Sequence, residues 1–368
     1  MRVVHAINSS ATNIAGIERH VLYLAIAQKA RGYSVGAVVD RAGMFADACH
    51  QHGIPVVVAH GLTQEGRLWE PPAEQAVQQL IAQFRSLGAE LIHCHTIQSA
   101  AQAIPAGNRI NIPCVLTFNG PSLVMAAKRS GLKFATILVS RARFEELKMR
   151  CMSENDIYYV PNGTRAAPSA PSQETCESHR PNLILVGSLI PRKGIDAAIL
   201  AMVALRQKRG RDCPILNVYG DGDQEKYLKE MVAVLGLNDI VRFWGFQSNI
   251  LEHCPSTDIL VMSSRSETGP QVILEAMSRG MPIVATDVGE VAEMLTDRRY
   301  GRIVPVDSII ALAEAIESLL SDIADGQFNP DLLIERHRSY YTDEKMAERL
   351  EAVYKQVLLT KPPQNIPG

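Results

Sequence analysis

The feature that most constrains this chain is an alternation of short apolar β-branched stretches with helix-length stretches, run through twice. In the first half, VVHAI (3–7), VGAVV (35–39), VVVA (56–59), ELIHCH (90–95), VLTF (115–118), ATILVS (135–140) and IYYV (157–160) have strand character, and stretches such as 17–31 and 72–87 have helix length. Most of the strand runs are continuously apolar, as strands buried on both faces of a parallel sheet must be. A βαβα order of this kind predicts a doubly wound α/β sheet. Residues 162–181, NGTRAAPSAPSQETCESHRP, break the pattern with aperiodic Pro, Ser, Ala and charge, and read as a linker. The alternation then restarts with NLILVG (182–187), ILNVYG (215–220), VRFWG (241–245), DILVM (258–262), PIVA (282–285) and RIVPV (302–306). Helices are expected over 194–208, 223–235, 270–279 and 307–320, and a last one over 343–358 has no strand after it. The expected organisation is a Rossmann-like domain over 1–163, a linker over 164–181 and a second Rossmann-like domain over 182–335. A helical segment over 336–368 is expected to pack back on the first domain.

A length of 368 residues accommodates two such domains. A net charge of −2 gives no reason to expect nucleic acid as a partner. No apolar run approaches the roughly 20 residues that span a bilayer. Met1-Arg2 leads directly into VVHAI without a signal-peptide pattern. The seven cysteines (49, 94, 114, 151, 176, 213, 254) are scattered and never spaced as CxxC, which suits reduced thiols and a cytoplasmic setting.

Two facing α/β domains bind a small ligand in the cleft at the carboxyl ends of their strands. No GxGxxG follows a strand and no GxxxxGK[ST] occurs, which excludes the dinucleotide and P-loop classes. Asp221-Gly222-Asp223 looks like a metal-binding DxD, but it follows a turn at Gly220 and precedes a helix, where a capping role is expected. In His93-Cys94-His95, strand alternation sends both imidazoles to one face, and no carboxylate in the motif completes a metal site. No metal is expected. His95 and Ser99 are candidate cleft residues, with a hydrogen-bonded structural histidine as the alternative.

SETGPQVILEAMSRGMPIV (266–284) places Glu267 and Glu275 on either side of a Thr268-Gly269-Pro270 breaker, with Glu275 in an apolar run that reads as core. A helix opened there presents unpaired N–H groups and a positive dipole end to an anion. This stretch resembles the E-x7-E segment of the retaining GT-B glycosyltransferases, the large group that includes sucrose synthases and mannosyl- and N-acetylglucosaminyltransferases. VGSLIPRKGID (186–196) resembles that group's diphosphate loop. Gly220-Asp221-Gly222, VRFWG (241–245) and DILVMSS (258–264) follow in the family's order, Val160-Pro161-Asn162-Gly163 resembles its PNG ending of the first domain, and Gly16-Ile17-Glu18-Arg19 its GG-x-E first loop.

The resemblance implies a GT-B fold and a retaining transferase that moves a hexose from a nucleotide-diphosphate sugar to a glycan, lipid-linked or small-molecule hydroxyl. The nucleotide sugar is then a co-substrate, and no cofactor is implied. By resemblance Glu275 binds ribose, Glu267 reaches donor-sugar hydroxyls, and Arg192 and Lys193 neutralise the diphosphate leaving group, as a metal does elsewhere. The implied donor-binding set is Gly16, Gly187, Arg192, Lys193, Glu267, Thr268, Gly269, Pro270, Gln271 and Glu275. Two departures stand out. The family's T-x-H-G reads Thr117-Phe118-Asn119-Gly120, and an Asn hydrogen-bonds but carries no charge; Ala15 replaces the second glycine of the first loop. The catalytic candidates are Glu267, Arg192, Lys193 and Asn119, and the acceptor-side candidates His95, Asn119, Lys128 and Arg129. The alternatives are a nucleotide-sugar epimerase of the same fold and a catalytically silent nucleotide-sugar-binding protein. The basic stretch 126–150, with Leu132 and Phe134 beside Lys128 and Lys133, admits a solvated surface or peripheral contact with the inner face of a membrane.

Overall fold

A computed structural model describes residues 1–9, 14, 16–63, 73–118, 124–125, 128, 131–150, 156–167, 181–255 and 257–359. Asn119, Gly120, Ala15 and Arg129 lie outside the described residues. The chain divides into two compact units, Met1–Gly163 together with Thr342–Gly368, and Thr164–Tyr341.

The first unit holds the strands β1 (Arg2–Ile7), β2 (Ser34–Val39), β3 (Val56–Val58), β4 (Leu91–Cys94), β5 (Cys114–Thr117), β6 (Ala135–Leu138) and β7 (Ile157–Tyr159). They form one seven-stranded sheet in the order β3-β2-β1-β4-β5-β6-β7, with every pairing parallel. Parallel neighbours require crossovers, and the helices α1 (Gly16–Ala30), α2 (Met44–Gln51), α3 (Glu74–Ser86), α4 (Ile97–Arg109) and α5 (Arg141–Met149) lie between them in sequence. The strand order reverses between β1 and β4, so their carboxyl ends flank the topological switch point of this sheet.

The second unit repeats the plan. Its strands are β8 (Leu183–Val186), β9 (Leu216–Tyr219), β10 (Val241–Phe243), β11 (Ile259–Met262), β12 (Ile283–Thr286) and β13 (Arg302–Val304), and its helices α6 (Ile195–Arg209), α7 (Glu225–Val234), α8 (Gln271–Ser278), α9 (Val291–Met294), α10 (Ile309–Ala324) and α11 (Pro330–Tyr340). The sheet runs β10-β9-β8-β11-β12-β13, again parallel, with its reversal between β8 and β11.

The last helix, α12 (Asp343–Leu359), returns to the first unit. Its Met346, Ala347, Leu350, Val353 and Tyr354 are buried against Val3, Leu24, Ala27 and Leu91, and Arg31 donates to Glu351 at 2.6 Å beside that seam. Burying its larger apolar side chains contributes about 1.5–3 kcal/mol each. The sequence placed the start of the C-terminal segment at 336; α11 runs unbroken across that position and the first unit regains the chain at Thr342.

Candidate donor and acceptor sites

In the second unit, the carboxyl ends of β8 and β11 bring together two loops distant in sequence. After β8 the chain passes Gly187 and enters a single 3-10 turn, Pro191–Lys193, which ends at Gly194 in the left-handed region (φ 60°). A Cβ on Gly194 would lie 2.1 Å from the Ser263 carbonyl oxygen, so glycine lets the turn press against the chain leaving β11. The backbones are tied there, Arg265 N–H donating to the Arg192 carbonyl at 2.8 Å. Gly289 serves the same end for the other loop: a Cβ would lie 2.4 Å from the Glu267 carbonyl oxygen.

Three charges converge on that frame. Lys193 Nζ donates to Glu267 Oε1 at 2.5 Å, and Arg192 Nη1 stands 3.3 Å from Oε2. Ser264 Oγ also donates to Oε1 at 3.2 Å, and Arg192 Nη1 donates to the Ser266 carbonyl at 2.9 Å. The Glu267 side chain is 11% exposed and Lys193 21%, while Arg192 at 50% is open to solvent on one side. Two cations against one carboxylate leave the cluster net positive, which suits a phosphate-bearing ligand.

Helix α8 begins at Gln271 with Pro270 as its N-cap residue, so Pro270 precedes the first turn rather than filling it. Its Ile273, Leu274, Ala276, Met277 and Ser278 are buried. Glu275 is only half-buried, a correction to the expectation of a core carboxylate: the helix turns its apolar stripe inward and carries Glu275 at the margin, where a charged group keeps part of its solvation. The Asp221 capping expectation is also corrected. The residue capping α7 is Gln224, and Asp221 Oδ1 instead accepts from the Phe246 N–H at 2.9 Å, stapling the β9 and β10 loops.

In the first unit, Gly16 is the first residue of α1, and a Cβ there would meet nothing within 4 Å. Ser99 completes a capping box with Thr96 at the start of α4 and donates to the Ala6 carbonyl at 3.0 Å. Lys128 is not part of a free basic surface: it pairs with Asp156 at 3.1 Å and lies over the Phe134 ring. Phe134 is a core side chain and Leu132 packs against the same core. Arg143 and Arg150 both pair with Glu146, and Arg141 sits over the Tyr159 ring. The apolar residues that suggested a lipid-facing patch thus face inward, and most of the described cations beside them have partners. Among the described residues, no helix is long and apolar enough to cross a membrane.

Sequence reasoning placed His93 and His95 on one face, and their ring centroids are 4.1 Å apart. It did not single out His5, Gln28 or Tyr354, which complete a buried cluster. His5 faces His93 in strand register. His5 Nδ1 lies 2.9 Å from His95 Nε2, and His5 Nε2 2.8 Å from Gln28 Oε1. Gln28 Nε2 donates to Tyr354 Oη at 3.1 Å, and that hydroxyl is 2.6 Å from His93 Nδ1. His93 Nε2 lies 2.7 Å from Thr117 Oγ1. Burial pushes His5 down to about 4 and holds His93 and His95 well below the ordinary histidine value, so all three are neutral at pH 7. Three imidazoles with nitrogens within 4.8 Å have metal-ligand character. Five of the six ring nitrogens, however, already face a protein partner. The signal in the sequence was a histidine inside the otherwise apolar VVHAI.

Comparisons with known proteins divide the chain as its fold does. Residues 14–167 match the model for "Glycosyltransferase Family 4" and residues 170–331 that for "Glycosyl transferases group 1". An alpha-D-kanosaminyltransferase of Streptomyces kanamyceticus is 36% identical over 147 residues, 39% of this chain and 37% of that one. The lipopolysaccharide core biosynthesis mannosyltransferase LpsB of Rhizobium meliloti is 31% identical over 180 residues, 47% of this chain and 50% of that one. The aligned part of this chain thus spans half or less of either relative. In fold it is similar to the Anabaena protein Alr3699/HepE solved with UDP, with a TM-score of 0.78 at 18% identity, over 96% of this chain and all of that one. The two parallel-sheet units are those of the GT-B fold.

Proposed function

We propose that this chain, a GT-B fold carrying a family 4 and a group 1 glycosyltransferase domain, is a retaining glycosyltransferase that uses a nucleotide-diphosphate sugar. The observation that carries the reading is the convergence of Arg192, Lys193 and Glu267 at the switch point of the second sheet. Arg192 and Lys193 supply positive charge for a diphosphate, and Glu267, once released from them, has two oxygens to accept from sugar hydroxyls. Glu275, four residues into α8 and half-exposed, is reachable by ribose hydroxyls. Within the second unit the donor set is therefore Gly187, Arg192, Lys193, Glu267, the opening of α8 from Thr268 to Gln271, and Glu275.

In the reaction we propose, an acceptor hydroxyl bonds to the anomeric carbon on the face from which the diphosphate departs. Its proton passes to the leaving β-phosphate oxygen, so configuration is retained without a protein nucleophile. The UDP bound by the Anabaena protein makes uridine-diphosphate sugars the first donors to try; the names of the curated relatives point to a glycan or other sugar-bearing acceptor.

The test is incubation with a panel of UDP- and GDP-hexoses, with thermal shift for binding, nucleotide release for turnover and NMR for the anomer formed. Retained configuration supports the proposal, and inversion overturns it. Interconverted sugars indicate an epimerase, and binding without turnover indicates a silent binding protein.

A further inference from the structure

We propose that Arg265 is a positioning residue of the donor site: its guanidinium clamps the Pro191–Lys193 turn, so that the Arg192 and Lys193 cations keep their place when they pass from Glu267 to a diphosphate. The inference rests on the transferase reading above, because the diphosphate is that reading's ligand.

Three successive carbonyls of that turn are tied to the chain leaving β11. Arg265 Nη1 donates to the Pro191 carbonyl at 2.7 Å, the Arg265 backbone N–H to the Arg192 carbonyl at 2.8 Å, and Ser263 Oγ to the Lys193 carbonyl at 3.3 Å. The side chain that makes the first of these bonds is itself anchored at two further points. Its Nη1 and Nη2 grip both oxygens of Asp196, at 3.0 and 2.7 Å, in a fork-to-fork pair. Its Nε donates to Asp307 Oδ1 at 2.8 Å. Asp196 lies in the first turn of α6, where the helix dipole favours a negative charge. Asp307 follows β13 with its backbone in the left-handed region (φ 57°), which Asp, Asn and Gly enter most readily. One guanidinium thus joins the chain after β8, the chain after β11, the chain after β13 and the start of α6.

The clamp bears on the cations through their shared backbone. In the ligand-free chain the Lys193–Glu267 and Arg192–Glu267 pairs also tie the two loops together. A diphosphate that takes both cations removes those ties at the moment when the turn must hold its place. The Arg265 bonds survive that exchange, since Asp196, Asp307 and the Pro191 carbonyl lie outside the donor set. Four of the five guanidinium N–H groups are spent on them, which makes Arg265 a holder of the turn rather than a third phosphate cation. A lysine keeps the charge but, with its donors on a single atom, cannot reproduce this planar spread. The competing account is an ordinary surface ion pair, the Arg265 side chain being 32% exposed; such pairs contribute little and would leave ligand binding untouched.

Amide hydrogen exchange and calorimetry on the full chain test this, with UDP as the probe, or GDP where the wild type prefers it. The Lys193 and Gly194 amides close the turn on the Ile190 and Pro191 carbonyls, and in Arg265→Ala they are expected to exchange about tenfold faster. The Leu260 amide, bonded to the Pro282 carbonyl, is the control and is expected to keep its rate. Nucleotide Kd is expected to rise about tenfold in the same variant, since a small misplacement of binding groups is costly. Arg265→Lys is expected to leave most of that loss in place. In a Lys193→Ala background the factor for Arg265→Ala is expected to shrink to about threefold or less, because one of the two cations it positions is gone. An equal factor in both backgrounds, an unchanged Kd in Arg265→Ala, or unchanged exchange in the turn overturns the proposal and leaves a surface ion pair. Full recovery by lysine overturns it too, since charge alone then suffices. If the wild type binds neither nucleotide, with or without a hexose, the transferase reading falls instead, and the exchange rates still decide whether Arg265 holds the turn.

Discussion

The ammonium of Lys193 donates to the carboxylate of Glu267 across 2.5 Å, joining loops 74 residues apart. In the ligand-free chain the two cations suited to a diphosphate are therefore already occupied by the carboxylate suited to the sugar. On the proposed reading, binding a nucleotide sugar would be an exchange of partners, with the diphosphate taking Lys193 and Arg192 and Glu267 turning to the hexose.

Removing the cations exposes this. Lys193→Ala and Arg192→Ala are each expected to weaken nucleotide-sugar binding by about tenfold to a hundredfold, from roughly 1.5–3 kcal/mol per hydrogen bond to a charged group. Glu267→Gln should do the reverse for the bare nucleoside diphosphate, tightening it a few-fold by removing the competitor, while transfer falls by about a hundredfold or more. Calorimetry with UDP and with the intact donor separates the effects; equal weakening of both ligands by Glu267→Gln would contradict the exchange.

The glycine at the end of the 3-10 turn gives a second expectation. Gly194→Ala puts a Cβ 2.1 Å from the Ser263 carbonyl oxygen at φ 60°. Gly236 has a similar φ of 67° and nothing within 4 Å of its Cβ, so Gly236→Ala isolates the left-handed backbone cost, about 1 kcal/mol. Gly194→Ala should cost about 2 kcal/mol or more and also weaken nucleotide binding, because the collision moves Lys193. Urea midpoints that fall equally for both variants would show that the chain leaving β11 yields freely.

Acid should destabilise the first unit. Burial lowers His5 and His20 to about 4 in the fold and keeps His93 and His95 well below the usual value. Below pH ~6.5 the unfolded chain takes up protons that the fold refuses. Stability is thus fully present above 6.5 and declines as pH falls toward 4. At pH 5 the loss is about 2 kcal/mol for each histidine shifted to 4, from 1.36 kcal/mol per unit. Thermal melts at pH 7.5 and 5 should show this drop, and His20→Gln should shrink it; a drop of the same size in that variant would remove His20 from the account.

Nearly every strand was legible because a parallel sheet buried on both faces needs unbroken β-branched runs, and NLILVG or DILVM has no other good use. Helix α4 was not singled out, since Pro105 inside it and Gly107 near its end read locally as helix breakers. Arg192-Lys193 and Glu267 were singled out through their resemblance to family motifs, and each does sit on a short loop at a strand end, where the fold brings them together. What local pattern cannot supply is pairing across sequence. Nothing near Gln28 announces Tyr354, 326 residues away, and an apolar neighbourhood around Glu275 does not reveal which side of α8 faces outward.

The last expectation concerns divalent metal. In the proposed reaction the leaving diphosphate gains negative charge, which must be balanced by a bound cation or by the protein. Here Arg192 and Lys193 stand on one rigid turn beside Glu267, fixed by Gly194 and by the Arg265-to-Arg192 backbone bond. The acidic residue best placed to suggest a metal, Asp221, spends an oxygen on the Phe246 N–H. In the three-histidine cluster His95 Nδ1 has no hydrogen-bond partner among the described residues, and the other five ring nitrogens are held in hydrogen bonds. Turnover in excess EDTA should therefore stay within about twofold of that in Mg²⁺ or Mn²⁺. If EDTA lowers turnover about tenfold and added Mg²⁺ or Mn²⁺ restores it, the leaving-group role assigned to Arg192 and Lys193 is wrong.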